Sequence, residues 1–122
     1  MSAPSTRSLA ATLEAFRGQV NADTRLDAIL RGWEPVIIVE VRDSQWRRHL
    51  TVRDRRIVAI SEAPVEGAHH VVHLRSSEAL LSAIFAGERN PTEAFMDGDL
   101  EVFANDKDQV KLDAISLVLW GA

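Results

Sequence analysis

The last third of the chain, SSEALLSAIFAGERNPTEAFMDGDLEVFANDKDQVKLDAISLVLWGA, admits few folds. An apolar helix, a short capped helix, one strand and a second apolar helix follow one another there with almost no connecting residues. Asn90, Pro91 and Glu93 read as an N-cap, a first-turn proline and a capping-box acid. Gly98 stops the helix that they start. Leu100 and Val102 then alternate with Asp99 and Glu101, the period of a strand. The helix after it carries more apolar surface than one buried face requires, so it must cover something.

Upstream, Leu9, Leu13, Phe16 and Val20 recur at helical spacing, as do Leu26, Ile29, Leu30 and Trp33. These patterns predict two amphipathic helices, joined near Gly18 to Asp23, with Asp23 or Thr24 capping the second and Pro35 ending it. The run VIIVEV is short and β-branched, a strand covered on one face and in part on the other. In WRRHLTVR the alternation puts Trp46, Arg48, Leu50 and Val52 on one face, and Arg47, His49, Thr51 and Arg53 on a wet one. Asp54 and Arg55 turn the chain into RIVAIS, and after the loop EAPVEGA the segment HHVVHL gives a fourth strand. Adding Leu100 to Ala104 makes an α+β fold: a five-stranded, mainly antiparallel sheet with about five helices packed on one face. The early strands are expected to be joined by hairpin-length connections. The expected order is helix, helix, three strands, a fourth strand, two helices, strand, helix.

The stretch FAGERNPTEAFMDGDLEVFAND, with this order of elements, resembles the sterol carrier protein type 2 (SCP2-like) family of nonspecific lipid-transfer domains. In that family a helix ending in glycine precedes an Asn-Pro pair, a phenylalanine-rich turn, a glycine, an alternating strand and a last helix. Gly87, Asn90 with Pro91, Phe95 with Met96, Gly98, Leu100 to Phe103, and Asp106 onward stand at those positions. The resemblance is carried by residues 68–122. It departs after the strand, where the family often has a second glycine and this chain has Ala104 and Asn105; asparagine tolerates left-handed geometry, which keeps the turn available. One domain is expected over residues 1–122, with the two helices at about 8–33 and the sheet and remaining helices over 35–122. The resemblance further implies an apolar tunnel between sheet and helices that takes sterols, fatty acyl chains or other lipids.

The expected wall of that cavity is Trp33, Ile84, Phe85, Phe95, Met96, Leu112, Ile115 and Leu119, since rings and methionine suit an adaptable apolar pocket. On pattern alone such residues are simply core, and the tunnel is what the resemblance adds. In the last helix Val110, Ala114, Leu117 and Val118 form one stripe, and Leu112, Ile115 and Leu119 another. One stripe seals the domain; the other meets a ligand, a second subunit or lipid, and Trp120 is of the kind found exposed at interfaces. Lys107, Asp108, Lys111 and Asp113 make the solvated side. The helix from Lys107 to Trp120 is expected to gate the cavity, so truncation before Ile115 should speed exchange of a bound fatty acid.

Other classes are disfavoured. A net charge of −4 argues against nucleic acid as a partner. The chain has no cysteine, hence no disulfide framework or thiolate chemistry. No run approaches the roughly 18 apolar residues of a spanning helix, and the first residues lack a signal-peptide core, so a cytoplasmic location is expected. His69 and His73 on one strand would stand about 13 Å apart, too far to share a metal, and His70 points the other way. No nucleophile elbow, phosphate loop or metalloprotease motif occurs, so neither catalysis nor a cofactor is expected. Arg42, Arg47, Arg48, Arg53, Arg55 and Arg56 face only Asp43 and Asp54 in the same stretch. They read as a solvated sheet face, with transient contact to anionic lipid surfaces as the functional counterpart. The expected function is non-enzymatic carriage of a lipid, sterol or fatty acyl chain in a cavity gated by the last helix. The alternative is a protein-protein interaction module, such as a homodimer, with a filled cavity; an enzyme accessory ranks third.

Overall fold

The computed structural model describes residues 8–121. Ser8 caps α1 (Leu9–Ala22), its hydroxyl accepting from the Ala11 amide at 3.1 Å, and Leu9, Leu13, Phe16 and Val20 make the buried stripe. Asp23 caps a 3-10 turn at Thr24–Leu26, which runs into the single turn α2 (Asp27–Leu30). The second helix therefore stops before Trp33, short of the expected length. Arg31 is extended and Gly32 has φ 72°, which carries Trp33 out of the helix and onto the connection to the first strand.

The remaining elements are β1 (Val36–Val41), β2 (Arg47–Arg53), β3 (Arg56–Ser61), β4 (Val71–Ser76), α3 (Glu78–Phe85), α4 (Pro91–Met96), β5 (Glu101–Phe103) and α5 (Asp106–Trp120), in the expected order. The sheet runs β3-β2-β1-β4-β5. All its pairs are antiparallel except β1 with β4, where Val36 to Val41 pair with Val71 to Ser76. Asp54 and Arg55, at φ 52° and 66°, make the tight β2–β3 hairpin that the turn residues predict. The next connection is not a hairpin. A parallel pair needs a crossover, and residues 62–70 carry the chain past β2 and β1 to set β4 beside β1. The near-continuous apolar run of β1 suits this central place, paired on both sides.

One sheet face carries Ile37, Val39, Leu50, Val52, Ile57, Val72 and Leu74, all buried in one core with Leu13, Phe16, Leu81, Ile84, Phe85 and Ile115 from the helices. The opposite face is less wet than the alternation predicts. His49 is only 3% exposed. Strand β4 starts at Val71, leaving His69 and His70 before it, and His73 lies 2.6 Å from Glu40 across β1, which also meets Arg47 at 3.2 Å. Arg75 and Arg42 both reach Glu101, at 2.8 and 3.4 Å, and Arg48 stacks on Trp46 at 4.3 Å. Part of the arginine patch thus ties strands together.

Burial opposes the charge on Glu40, but the hydrogen bond with His73 and the field of Arg47 outweigh it and hold the carboxyl below its ordinary 4.5. A carboxyl lowered in the folded state contributes stability above its unfolded value and loses it as pH falls through the folded one. Glu40→Gln should therefore be less stable than the parent near neutral pH, with the gap closing as pH drops below about 4.5. Urea melts of both proteins across pH check this.

Candidate functional site

A cavity of about 80 Å³ lies under α5, between α3, α4 and the β4–β5 end of the sheet. Leu81, Ile84 and Phe85 of α3 line it, with Leu74, Leu100 and Val102 from the sheet side and Phe16 from α1. Ser77 fixes the phase of α3: its hydroxyl accepts from the Leu80 amide at 3.2 Å, which sets Leu81, Ile84 and Phe85 on the buried face. The Phe85 ring meets Phe16 edge-on at 5.0 Å. A smaller void of about 20 Å³ adjoins, lined by Val20, Leu30, Trp33, Ile37, Val52 and Ile57. Phe16, Phe85, Leu112 and Ile115 border both spaces and so form the partition between them.

The larger cavity opens between α4 and α5, where its lining residues Thr92, Phe95 and Asp113 are exposed. Asn90 caps α4 by accepting from the Glu93 amide at 2.9 Å, with Pro91 in the first turn. The Glu93 carboxylate faces Arg89 at 3.5 Å. Thr92 donates to Asp113 at 2.7 Å and so bridges the two helices at the opening.

Polar contacts at Asn105, Asp108 and Lys111 and one ring seat α5. Asn105 caps it, accepting from the Asp108 amide at 2.8 Å with φ −81°, so the left-handed geometry allowed to Asn105 is not used. Asp108, expected on the solvated side, is 2% exposed. Its Oδ1 accepts from Trp33 Nε1 at 2.8 Å and lies 2.8 Å from His70 Nε2. Lys111, also expected in solvent, is half-buried and donates from Nζ to the Ile29 carbonyl at 2.6 Å. The signal for Asp108 was in the spacing: it precedes Leu112 by one turn and Ile115 by two, on the same helix face. The outward stripe is instead apolar, with Val110 67% and Leu117 58% exposed. Trp120 is half-buried, 6.0 Å from Phe16, and lies against Gly87.

Of the eight residues expected to wall a cavity, Ile84, Phe85, Phe95, Leu112 and Ile115 border the larger space and Trp33 the smaller. Met96 stands outside, 79% exposed, because one step along α4 turns it about 100° from Phe95. Leu119 is half-buried against the core and borders neither space. Leu81, one turn before Ile84 and Phe85 and on their face, went unnamed in the expected wall, as did Phe16 and the polar Thr92, Gln109, Asp113 and Ser116. Among the described residues no His, Asp and Glu side chains form a group able to hold a metal ion. No helix among them is long and apolar enough to cross a membrane.

A family profile described as the SCP-2 sterol transfer family matches residues 13–103. Among solved structures, the sterol carrier protein domain 2 of Helicoverpa armigera superposes with a TM-score of 0.71 at 15% identity, over 92% of this chain and 87% of that one. A UbiJ-SCP2 ubiquinone synthesis protein does so with 0.67 at 15%, over 91% and 89%. The palmitated SCP2L2 of Aedes aegypti gives 0.65 at 14%, over 90% and 95%. No curated protein sequence matches.

Proposed function

This chain belongs to the SCP-2 sterol transfer family, and from that premise we propose that it is a non-enzymatic carrier that holds a lipid, sterol or fatty acyl chain beneath α5. The observation that carries the reading is the cavity itself: it lies between α5 and the sheet, and its inner wall is built of Leu, Ile, Val and Phe. The palmitated relative has the same fold and supports an acyl ligand.

The space as it stands is too small for the proposed cargo. At 80 Å³ it has room for about five to eight waters. A chain of a dozen methylenes, each about the size of a water, exceeds that. Loading therefore requires α5 to lift and the partition of Phe16, Phe85, Leu112 and Ile115 to turn, joining the two voids. Helix α5 takes no part in the strand pairing, so it can move without breaking a sheet hydrogen bond. Each buried methylene returns roughly 0.8 kcal/mol, enough over a dozen carbons to leave useful affinity after ordering costs.

The exposed Val110 and Leu117 favour a second reading, in which α5 covers its outward stripe with another copy or a partner protein. Native mass spectrometry of gently purified protein separates the two. The carrier reading expects a monomer with a mass adduct in the lipid range, and added long-chain lipid should occupy one site per chain. A dimer that takes up no lipid would favour the second reading instead.

A further inference from the structure

Resting on the carrier reading, we infer that the site selects lipids with an uncharged head, such as a long-chain alcohol or a sterol hydroxyl, over free fatty acids, and that Asp113 is the residue that sets this preference. The polar lining residues exposed at the opening between α4 and α5 are Thr92 and Asp113, and the inner wall is mainly apolar, so an amphipathic ligand would leave its head at that opening. Among the residues that line the cavity, Asp113 is the single ionisable group, and no lysine, arginine or histidine lines it.

The nearby cations are turned elsewhere. Lys111 is committed to the Ile29 carbonyl at 2.6 Å, and Arg89 lies 2.9 Å from Asp97. A carboxylate head at the opening would meet the Asp113 charge with no compensating cation. A hydroxyl head there can donate to the Asp113 carboxylate or to the Thr92 oxygen, whose own proton is already given to Asp113 at 2.7 Å. Two like charges about 4 Å apart in a water-like medium lower affinity about fivefold, and salt screens the effect.

The test compares hexadecanol with palmitate on the full chain, by displacement of a neutral fluorescent alkyl probe at pH 8. The readout is the ratio of the two affinities, which cancels any general loss of packing. Asp113→Asn keeps the hydrogen bond from Thr92 and removes the charge. The alcohol preference should fall by about fivefold in this variant at low salt, and high salt should shrink it in the parent. A ratio unchanged by both treatments overturns the inference. If neither ligand displaces the probe and the probe itself does not bind, it is the carrier reading that fails, and the inference falls with it.

Discussion

Gly87→Ala should destabilise the protein by about 1.5–3.5 kcal/mol and loosen α5. The backbone there has φ 81°, a conformation that costs an alanine about 1–2 kcal/mol. A Cβ would also stand 2.6 Å from Cγ and Cδ1 of Trp120, so the indole must leave its seat on Phe16, at a further cost of about 0.5–1.5 kcal/mol. Trp120 is the last residue of α5, which means the strain falls on the helix proposed to gate the cavity. Chemical denaturation should show the lower stability, and stopped-flow exchange of an alkyl probe should run faster than in the parent. Parental stability and exchange would show that the contact between Gly87 and Trp120 restrains nothing.

Leu112→Trp should act in the opposite way, closing the site while leaving the fold in place. Leu112 is half-buried and borders both voids, so an indole at that position has open space to enter. Losing room for about three methylenes costs about 2.4 kcal/mol of ligand burial, on the order of fiftyfold in affinity. Overpacking should lower stability by no more than about 1–3 kcal/mol. Isothermal titration with a long-chain alcohol, beside a urea melt, reads both quantities. Parental affinity in a folded variant would place the ligand elsewhere.

Much of the fold was legible because local chemistry and tertiary packing agree. Asp23 and Asn90 cap where the sequence places them, and the alternation in β2 and around Val102 matches the pleat. The crossover to β4 was not legible, since a nine-residue loop of ordinary turn formers says nothing about which strand it returns to. The length of the second helix was lost at Gly32, where the apolar period runs on while the backbone turns away.

The site was legible in part for a related reason. Apolar periodicity marks residues that leave water, and it finds Ile84, Phe85, Leu112 and Ile115, but it cannot tell a wall from a filled core. It also treats a charge as a surface group by default. Asp108 is the exception that the helix geometry required: a carboxylate in the buried stripe, held by Trp33 and His70, which come from distant parts of the chain. Asp113, one turn on from Gln109, stands at the opening for the same geometric reason and was read only as solvated.

The central claim is that an apolar ligand occupies the space beneath α5, and methyl-resolved NMR tests it most directly. The chain, labelled at Ile, Leu and Val methyls, would be titrated with hexadecanol. The account predicts saturable, one-to-one shifts at Leu81, Ile84, Leu112 and Ile115, with the exposed Val58 and Val71 of the sheet unmoved. Cavity methyls that stay unshifted at saturating ligand, or shifts confined to the sheet surface, would contradict it.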